Sequence, residues 1–309
     1  MTITVLVKRS GRFSGCKTDF RERAALKKRS LLLVNTAVLL FGLAGLFARW
    51  IRMPALSITF GRVLFSSITL GIFMLVRKES FRVADRKDVL KLICAGFILA
   101  LHWWSFLASV QLSTVAVGTI TFSSFPLFVT FLEPLFFHQK LKPRSVLLAA
   151  LILAGVIITV PEVSFENDYF VGILVGMVSA LTYAVLTLLN RGFVRRYSGT
   201  LTAFYEQTAA AVVLLPLILK TGFHPGPSDL ALLLFLGIVT TAAAHTMFIT
   251  ALKDLPAWLA GICSSMETVY GILFAMLFLG EVPGFREIVG AVIIIGCVLA
   301  AQLTADQAQ

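Results

Sequence analysis

HWWSFLASVQLSTVAVGTITFSSFPLFVTFLEPLFF, residues 102–137, reads as two apolar helices meeting at a short turn near Gln111 to Thr114. The plan returns at residues 245–280 as HTMFITALKDLPAWLAGICSSMETVYGILFAMLFLG. In both copies a His enters, a tight polar turn follows, then a Ser-rich stretch, and an acidic residue, Glu133 or Glu267, lies within apolar sequence. A repeat of this length in a hydrophobic chain means two similar halves that face each other.

The rest of the chain is as apolar as these stretches. Of 309 residues, 58% are hydrophobic and only 14% charged, against roughly 25% charged in a soluble domain. Such a chain takes the bilayer as its solvent, and every spanning segment is then a helix. The net charge of +11 therefore speaks for orientation in a membrane rather than for a nucleic-acid partner. Cys16, Cys94, Cys263 and Cys297 are scattered, which argues against disulfides and against a metal cluster. FSGC, ending at Cys16, faintly resembles a lipid-attachment box but lacks the apolar run before it. Residues 1–29 read more simply as a basic cytosolic tail.

A span needs roughly 20 mostly apolar residues. Ten segments qualify: 30–48, 55–76, 89–109, 114–137, 144–160, 169–190, 200–219, 229–251, 256–279 and 286–303. An even count puts both termini on one side. With the amino terminus inside, 22 of the 27 Lys and Arg residues fall on inside segments, four (Arg49, Arg52, Lys220 and Arg286) fall outside, and Arg62 lies within helix 2. Both termini are thus expected in the cytosol, with residues 161–168 as an external loop and 304–309 as a second cytosolic tail. Five helices per half is odd, so the second repeat, 169–303, enters the membrane in the opposite sense to the first, 30–160. The expected fold is an all-α integral membrane protein, two inverted five-helix repeats around a central cavity.

LLFGLAG in helix 1, FGRVLFSS in helix 2 and FLGEVPGFREIVGAVIIIGCVL across helices 9 and 10 resemble the drug/metabolite transporter superfamily, specifically its EamA-type ten-helix exporters. The resemblance covers nearly the whole chain after residue 29. Gly42, Arg62 and Glu281 match positions typical of that family, and Pro126 matches the proline expected in helix 4. Gln139 departs from it where Glu281 has its first-repeat counterpart, and Thr268 departs from it at the partner of Pro126. The resemblance implies a cavity lined mainly by helices 1, 3, 4, 6, 8 and 9, and export of small metabolites across the cytoplasmic (inner) membrane, amino acids being a frequent substrate class.

An ionisable group near the middle of a spanning helix costs about 2.5–3.5 kcal/mol on insertion scales and needs an interior place or a partner. Arg62, His102, Glu206, His245 and Glu267 meet that description, and Glu133 lies closer to the inner interface. Thr119, Ser123, Pro126, Thr130 and Glu133 recur along one stripe of helix 4, which suggests a cavity wall; hydroxyls bonded to their own backbone around a packing kink would explain it equally. Helix 9 repeats the stripe with Cys263, Ser264, Glu267, Tyr270 and Gly271. Glu267 is the leading functional candidate, either exchanging a proton in a dry site or binding a substrate amine, against a role as hydrogen-bonding glue.

His102 and His245 form a pseudo-symmetric pair. Trp103, Trp104 and Phe106 form either an apolar wall or part of an interfacial aromatic belt. Arg62 bridges to Glu206 or holds a substrate carboxylate; Tyr183 joins the candidate site, and Asn190 reads as a helix cap. Substrate contacts are therefore expected at His102, Trp103, Thr119, Ser123, Tyr183, His245, Ser264, Glu267 and Tyr270. Coupling or gating falls to Glu267, Glu133, Pro126, Arg62 and Glu206.

No GxxxxGK loop is present to hold a nucleotide. The expected function is secondary transport by alternating access, as a uniporter or a proton-coupled carrier, with no cofactor, no metal, a small-molecule substrate and the lipid bilayer as its surroundings. The contrasting class is a membrane enzyme acting on lipid, disfavoured because no nucleophile, base and orienting group converge in one motif.

Overall fold

A computed structural model describes Leu26 and residues 28–137, 143–160, 166–255 and 257–305. Most of the basic tail with Cys16, the turn with Gln139, much of the 161–168 loop and the last four residues lie outside the described residues. Ten helical segments follow in order: α1 (Lys28–Trp50), α2 (Ala55–Val76), α3 (Arg86–Leu112), α4 (Val115–Phe136), α5 (Pro143–Thr159), α6 (Asp168–Phe193), α7 (Gly199–Thr221), α8 (Pro227–Ala251), α9 (Leu259–Leu279) and α10 (Phe285–Ala305). Among the described residues eight of them, α1–α4 and α6–α9, stand out as long and apolar enough to cross a membrane.

The helix ends follow from local chemistry. Asp85, Thr114, Asn167 and Ser198 each offer a side-chain oxygen to a backbone N–H in the first turn of α3, α4, α6 and α7. Gly280 ends α9 at φ 68°, a left-handed conformation that glycine adopts without strain. Leu75, Leu147, Leu219, Leu277 and Val292 are exposed around the outside, the surface expected of a protein bathed in lipid.

The packing repeats across a pseudo-two-fold. α2 lies against its counterpart α7, and α5 against its counterpart α10; α3 against α7 mirrors α8 against α2. Where α2 crosses α7, the hydroxyls of Ser67 and Thr208 are joined at 2.7 Å. A side chain built at Gly96 would meet the carbonyl of Glu206 at 2.7 Å, while one at Gly237 would meet the carbonyl of Arg62 at 3.1 Å. Arg62 and Glu206 therefore occupy equivalent places in the two halves, a cation in one and an acid in the other.

The copied hairpins share a break. α4 is interrupted at Ser123–Ser124 and α9 at Ser265, and in each the serine hydroxyls bond back to carbonyls three or four residues earlier. The break of α4 precedes Pro126 rather than falling on it. α8 carries a different irregularity, a π-helical stretch at Leu236–Ala243, a kind of distortion often found at functional sites.

Candidate functional site

Phe41 and Ala44 of α1, Arg62 of α2, His102, Trp103 and Phe106 of α3, Phe122 of α4, Tyr183 of α6, His245 of α8 and Glu267 of α9 enclose a central cavity. The cavity volume is about 20 Å³, room for about one water molecule in this conformation. The expected helices are all represented, and α2 joins them through Arg62.

Arg62 is 1% exposed. Its Nε donates to Thr241 Oγ1 at 3.1 Å, and the guanidinium carbon lies 4.0 Å from the centroid of the Trp103 ring. Both arrangements suit a desolvated cation: the ring face is electron-rich, and the hydroxyl is free to accept because its own proton goes to the carbonyl of Leu236. That i–5 bond belongs to the π-helical turn, so the distortion of α8 aims Thr241 at Arg62. Nη1 of the guanidinium has no protein partner.

Glu267 stands just after the break in α9, in the first turn of Met266–Leu279, where exposed helix N–H groups favour a negative charge. It is buried, and Arg62 is its electrostatic neighbour. No direct ion pair joins the two. The cavity therefore presents a cationic edge without an ion-pair partner from one repeat and a carboxylate from the other, with aromatic rings in the same wall.

The rings form a connected set. Tyr183 touches His102 (centroids 4.6 Å), Phe125 (5.0 Å) and Phe122 (5.3 Å), while Trp103 meets His245 at 5.4 Å edge to face. His102 is anchored by Ser179, whose Oγ lies 2.9 Å from Nδ1. Trp103 and Phe106 are wall residues, whereas Trp104 faces outwards. Tyr183 Oη and His245 Nδ1 are buried without partners.

Several expected contacts lie elsewhere. The Thr119, Ser123 and Ser264 hydroxyls bond to their own helices, and the Thr119 carbonyl accepts from Thr268 Oγ1 across to α9 at 3.0 Å. Tyr270 packs over Gly42, where any side chain would meet its Cβ at 2.6 Å. This close seam between α1, α4 and α9 is structural packing beside the cavity. Glu133 pairs with Arg191 at 2.5 Å. Pro126 backs onto Gly261 of α9.

Glu206 does not bridge to Arg62. Its Oε2 instead meets His245 Nε2 at 2.9 Å and Asn190 Nδ2 at 3.5 Å, so the Asn190 side chain serves the interior rather than the helix end. Phe41, Phe122 and Thr241 were missing from the sequence-derived site. The His-to-Ser spacing of the copied hairpins points to the level of Phe122, but nothing in the sequence marks Thr241 as the partner of Arg62.

At the end of the molecule assigned to the outside, Glu281 joins three elements. Oε1 accepts from Arg49 Nε at 3.0 Å, and Oε2 accepts from the backbone N–H of Val115 at 3.0 Å, capping α4. Arg49 also donates to the carbonyl of Ser113. At the opposite end, Asp88 gathers Tyr197 at 2.8 Å and Arg196 at 3.1 Å. Both ends of the molecule thus carry polar ties between elements. Among the described residues no group of three His, Cys, Asp or Glu side chains is placed to hold a metal ion.

A model of the EamA-like transporter family matches twice, at residues 28–160 and 170–301. The transporter YxxF of Bacillus subtilis is 23% identical over 87% of this chain and 88% of its own. The S-adenosylmethionine uptake transporter of Rickettsia felis is 26% identical over 80% and 83%, and the pseudopaline exporter CntI of Pseudomonas aeruginosa is 27% identical over 82% and 87%. A solved protein crystal structure superimposes with a TM-score of 0.68 at 19% identity, covering 91% of this chain and 98% of its own; that likeness concerns the fold.

Proposed function

Because the chain belongs to the EamA-like transporter family, and is a membrane transporter with a small-molecule substrate, we propose that it exports a small metabolite, an amino acid or a derivative of one, by alternating access. Export runs across the cytoplasmic membrane, with both termini in the cytosol. The observation that carries the substrate reading is the facing of Arg62 and Glu267 across the central cavity without an ion pair between them. A carboxylate of the substrate lies against the free Nη1 of Arg62, its ammonium against Glu267, and its side chain among Trp103, Phe106, Phe122 and Tyr183. Charge-assisted contacts in a water-excluded site are strong and directional, and a dipolar molecule satisfies both ends at once.

The two charges come from opposite repeats, so a rocking of the halves changes their separation and with it the grip on the substrate. The ties at Glu281 and Asp88 open one at a time. Energy comes from a gradient, either the substrate's own or that of protons.

Relatives named for uptake and for export support transport rather than catalysis, and the outward direction is our reading of the resemblance to exporters. Purified protein in proteoliposomes, loaded with a mixed labelled amino-acid pool and assayed with and without a pH gradient, tests it. Efflux that grows with the gradient supports a proton-coupled exporter, efflux indifferent to it supports a uniporter, and absence of efflux refutes the proposed substrate class.

A further inference from the structure

Behind the substrate cavity lies a second polar cluster made by the second repeat alone: Glu206 of α7, His245 of α8 and Asn190 of α6. We propose that the Glu206–His245 pair is a proton site separate from the Arg62–Glu267 substrate pair, and that it is the coupling element of the carrier; the coupling role rests on the proposed function, the proton site does not.

Glu206 is fully buried and His245 and Asn190 are each 1% exposed. Glu206 Oε1, Asn190 Oδ1 and His245 Nδ1 have no protein partner. Tyr183 and His245 sense the carboxylate directly, and Arg62 and His102 stand in the layer beyond His245. Arg62 of α2 stands at the equivalent place in the other repeat, but its charge is directed at Glu267. His102 of α3 is held by Ser179, and Tyr183 of α6 is near both carboxylates. That leaves His245 as the group in contact with Glu206, at 2.9 Å.

The charge count then decides what the pair needs. With Arg62 and Glu267 balancing each other, Glu206 and a neutral His245 leave one uncompensated anion in the interior. One added proton turns the pair into imidazolium and carboxylate, or imidazole and carboxylic acid, and removes the net charge. The pair, rather than either residue, carries the proton.

Access is built in. Of the two residues only His245 belongs to the cavity wall. A proton arrives from cavity water at Nδ1 while the Nε2 proton is shared with Glu206 Oε2, and it leaves through Nδ1 to water when the cavity faces the other side. Only N–H and O–H bonds change. A monovalent cation held by the free oxygens of Glu206 and Asn190 is the competing occupant.

Proton counting on the full chain in nanodiscs distinguishes them. The protein is shifted from pH 9 to pH 5 in weakly buffered choline chloride, and the protons taken up are measured with an indicator dye. Wild type is expected to take up about one proton per chain more than Glu206→Gln, with the same difference in sodium chloride. His245→Gln, checked for monodispersity, repeats the measurement from the other side of the pair and is expected to show the same deficit. Equal uptake by wild type and both variants overturns the proposal, and so does a difference that vanishes in sodium chloride, which would mark a sodium site.

In proteoliposomes, with the labelled amino-acid pool as probe, a pH gradient is expected to drive accumulation by wild type but not by Glu206→Gln. Accumulation undiminished in that variant overturns the coupling role. The proton difference without any flux in wild type overturns the transport reading while leaving the protonatable pair in place.

Discussion

Neutralising Glu267 removes the balance to a guanidinium that has nowhere else to go. Arg62 keeps its Thr241 bond and the Trp103 ring in Glu267→Gln, but both are neutral partners. Two unit charges 4 Å apart at an effective permittivity near 20 interact by about 4 kcal/mol. Arg62 and Glu267 stand beyond ion-pair contact, so the loss should be roughly 2–3 kcal/mol, below the 3–5 kcal/mol of a broken direct buried pair. Arg62→Met should cost a similar roughly 2–3 kcal/mol by leaving Glu267 alone and emptying the face of Trp103. The double variant, Arg62→Met with Glu267→Gln, then buries no uncompensated charge and should recover most of the sum. The assay is unfolding of the four proteins in detergent, read as a double-mutant cycle. A coupling energy of roughly 3–5 kcal/mol, most of the summed single costs, is expected, and costs that add within about 0.5 kcal/mol would show that the two residues do not sense each other.

The remaining predictions concern packing, the outer tie and topology. Gly96→Ala would place a methyl group 2.5 Å from Ala209 Cβ and 2.7 Å from the Glu206 carbonyl, so thermal stability should fall by the equivalent of about 1–3 kcal/mol; an unchanged or raised melting temperature would show that α3 and α7 can separate freely. Glu281→Ala removes the cap of α4 and the tie to Arg49. It should cost about 1 kcal/mol and increase labelling by an impermeant thiol reagent at a cysteine introduced at Ala44 in the cavity wall; unchanged labelling would mean that this contact does not close the outer end. A cysteine at Asp168 should react with the same reagent in intact cells, and reaction only after lysis would reverse the assigned topology.

The spans and the duplication were legible because both are written in composition and order. A run of apolar residues has few options in lipid, and the Ser–Ser breaks of α4 and α9 recur at matching points of the repeat. Placing the ionisable groups inside was legible too, since the cost of a charge in hydrocarbon forces it inwards. Their partners were not. Arg62 and Glu206 sit at equivalent positions and have opposite charge, which invites a bridge, yet each takes its partner from α8 instead, Arg62 from Thr241 and Glu206 from His245. The polar stripe of α4 left two readings open in the sequence; the Thr119 and Ser123 hydroxyls bond to their own helix, because in an apolar setting a hydroxyl satisfies itself on a nearby carbonyl. Thr241 became a ligand of Arg62 only through the π-helical turn, which no periodicity in LGIVTTAA announces.

The most direct test of the substrate site is flux through the double variant Arg62→Met with Glu267→Gln, reconstituted beside wild type and given the labelled amino-acid pool. Its stability is expected to be near that of wild type, so unfolding cannot account for a loss. The account predicts wild-type flux and none in the double variant, and undiminished flux through the double variant would contradict it.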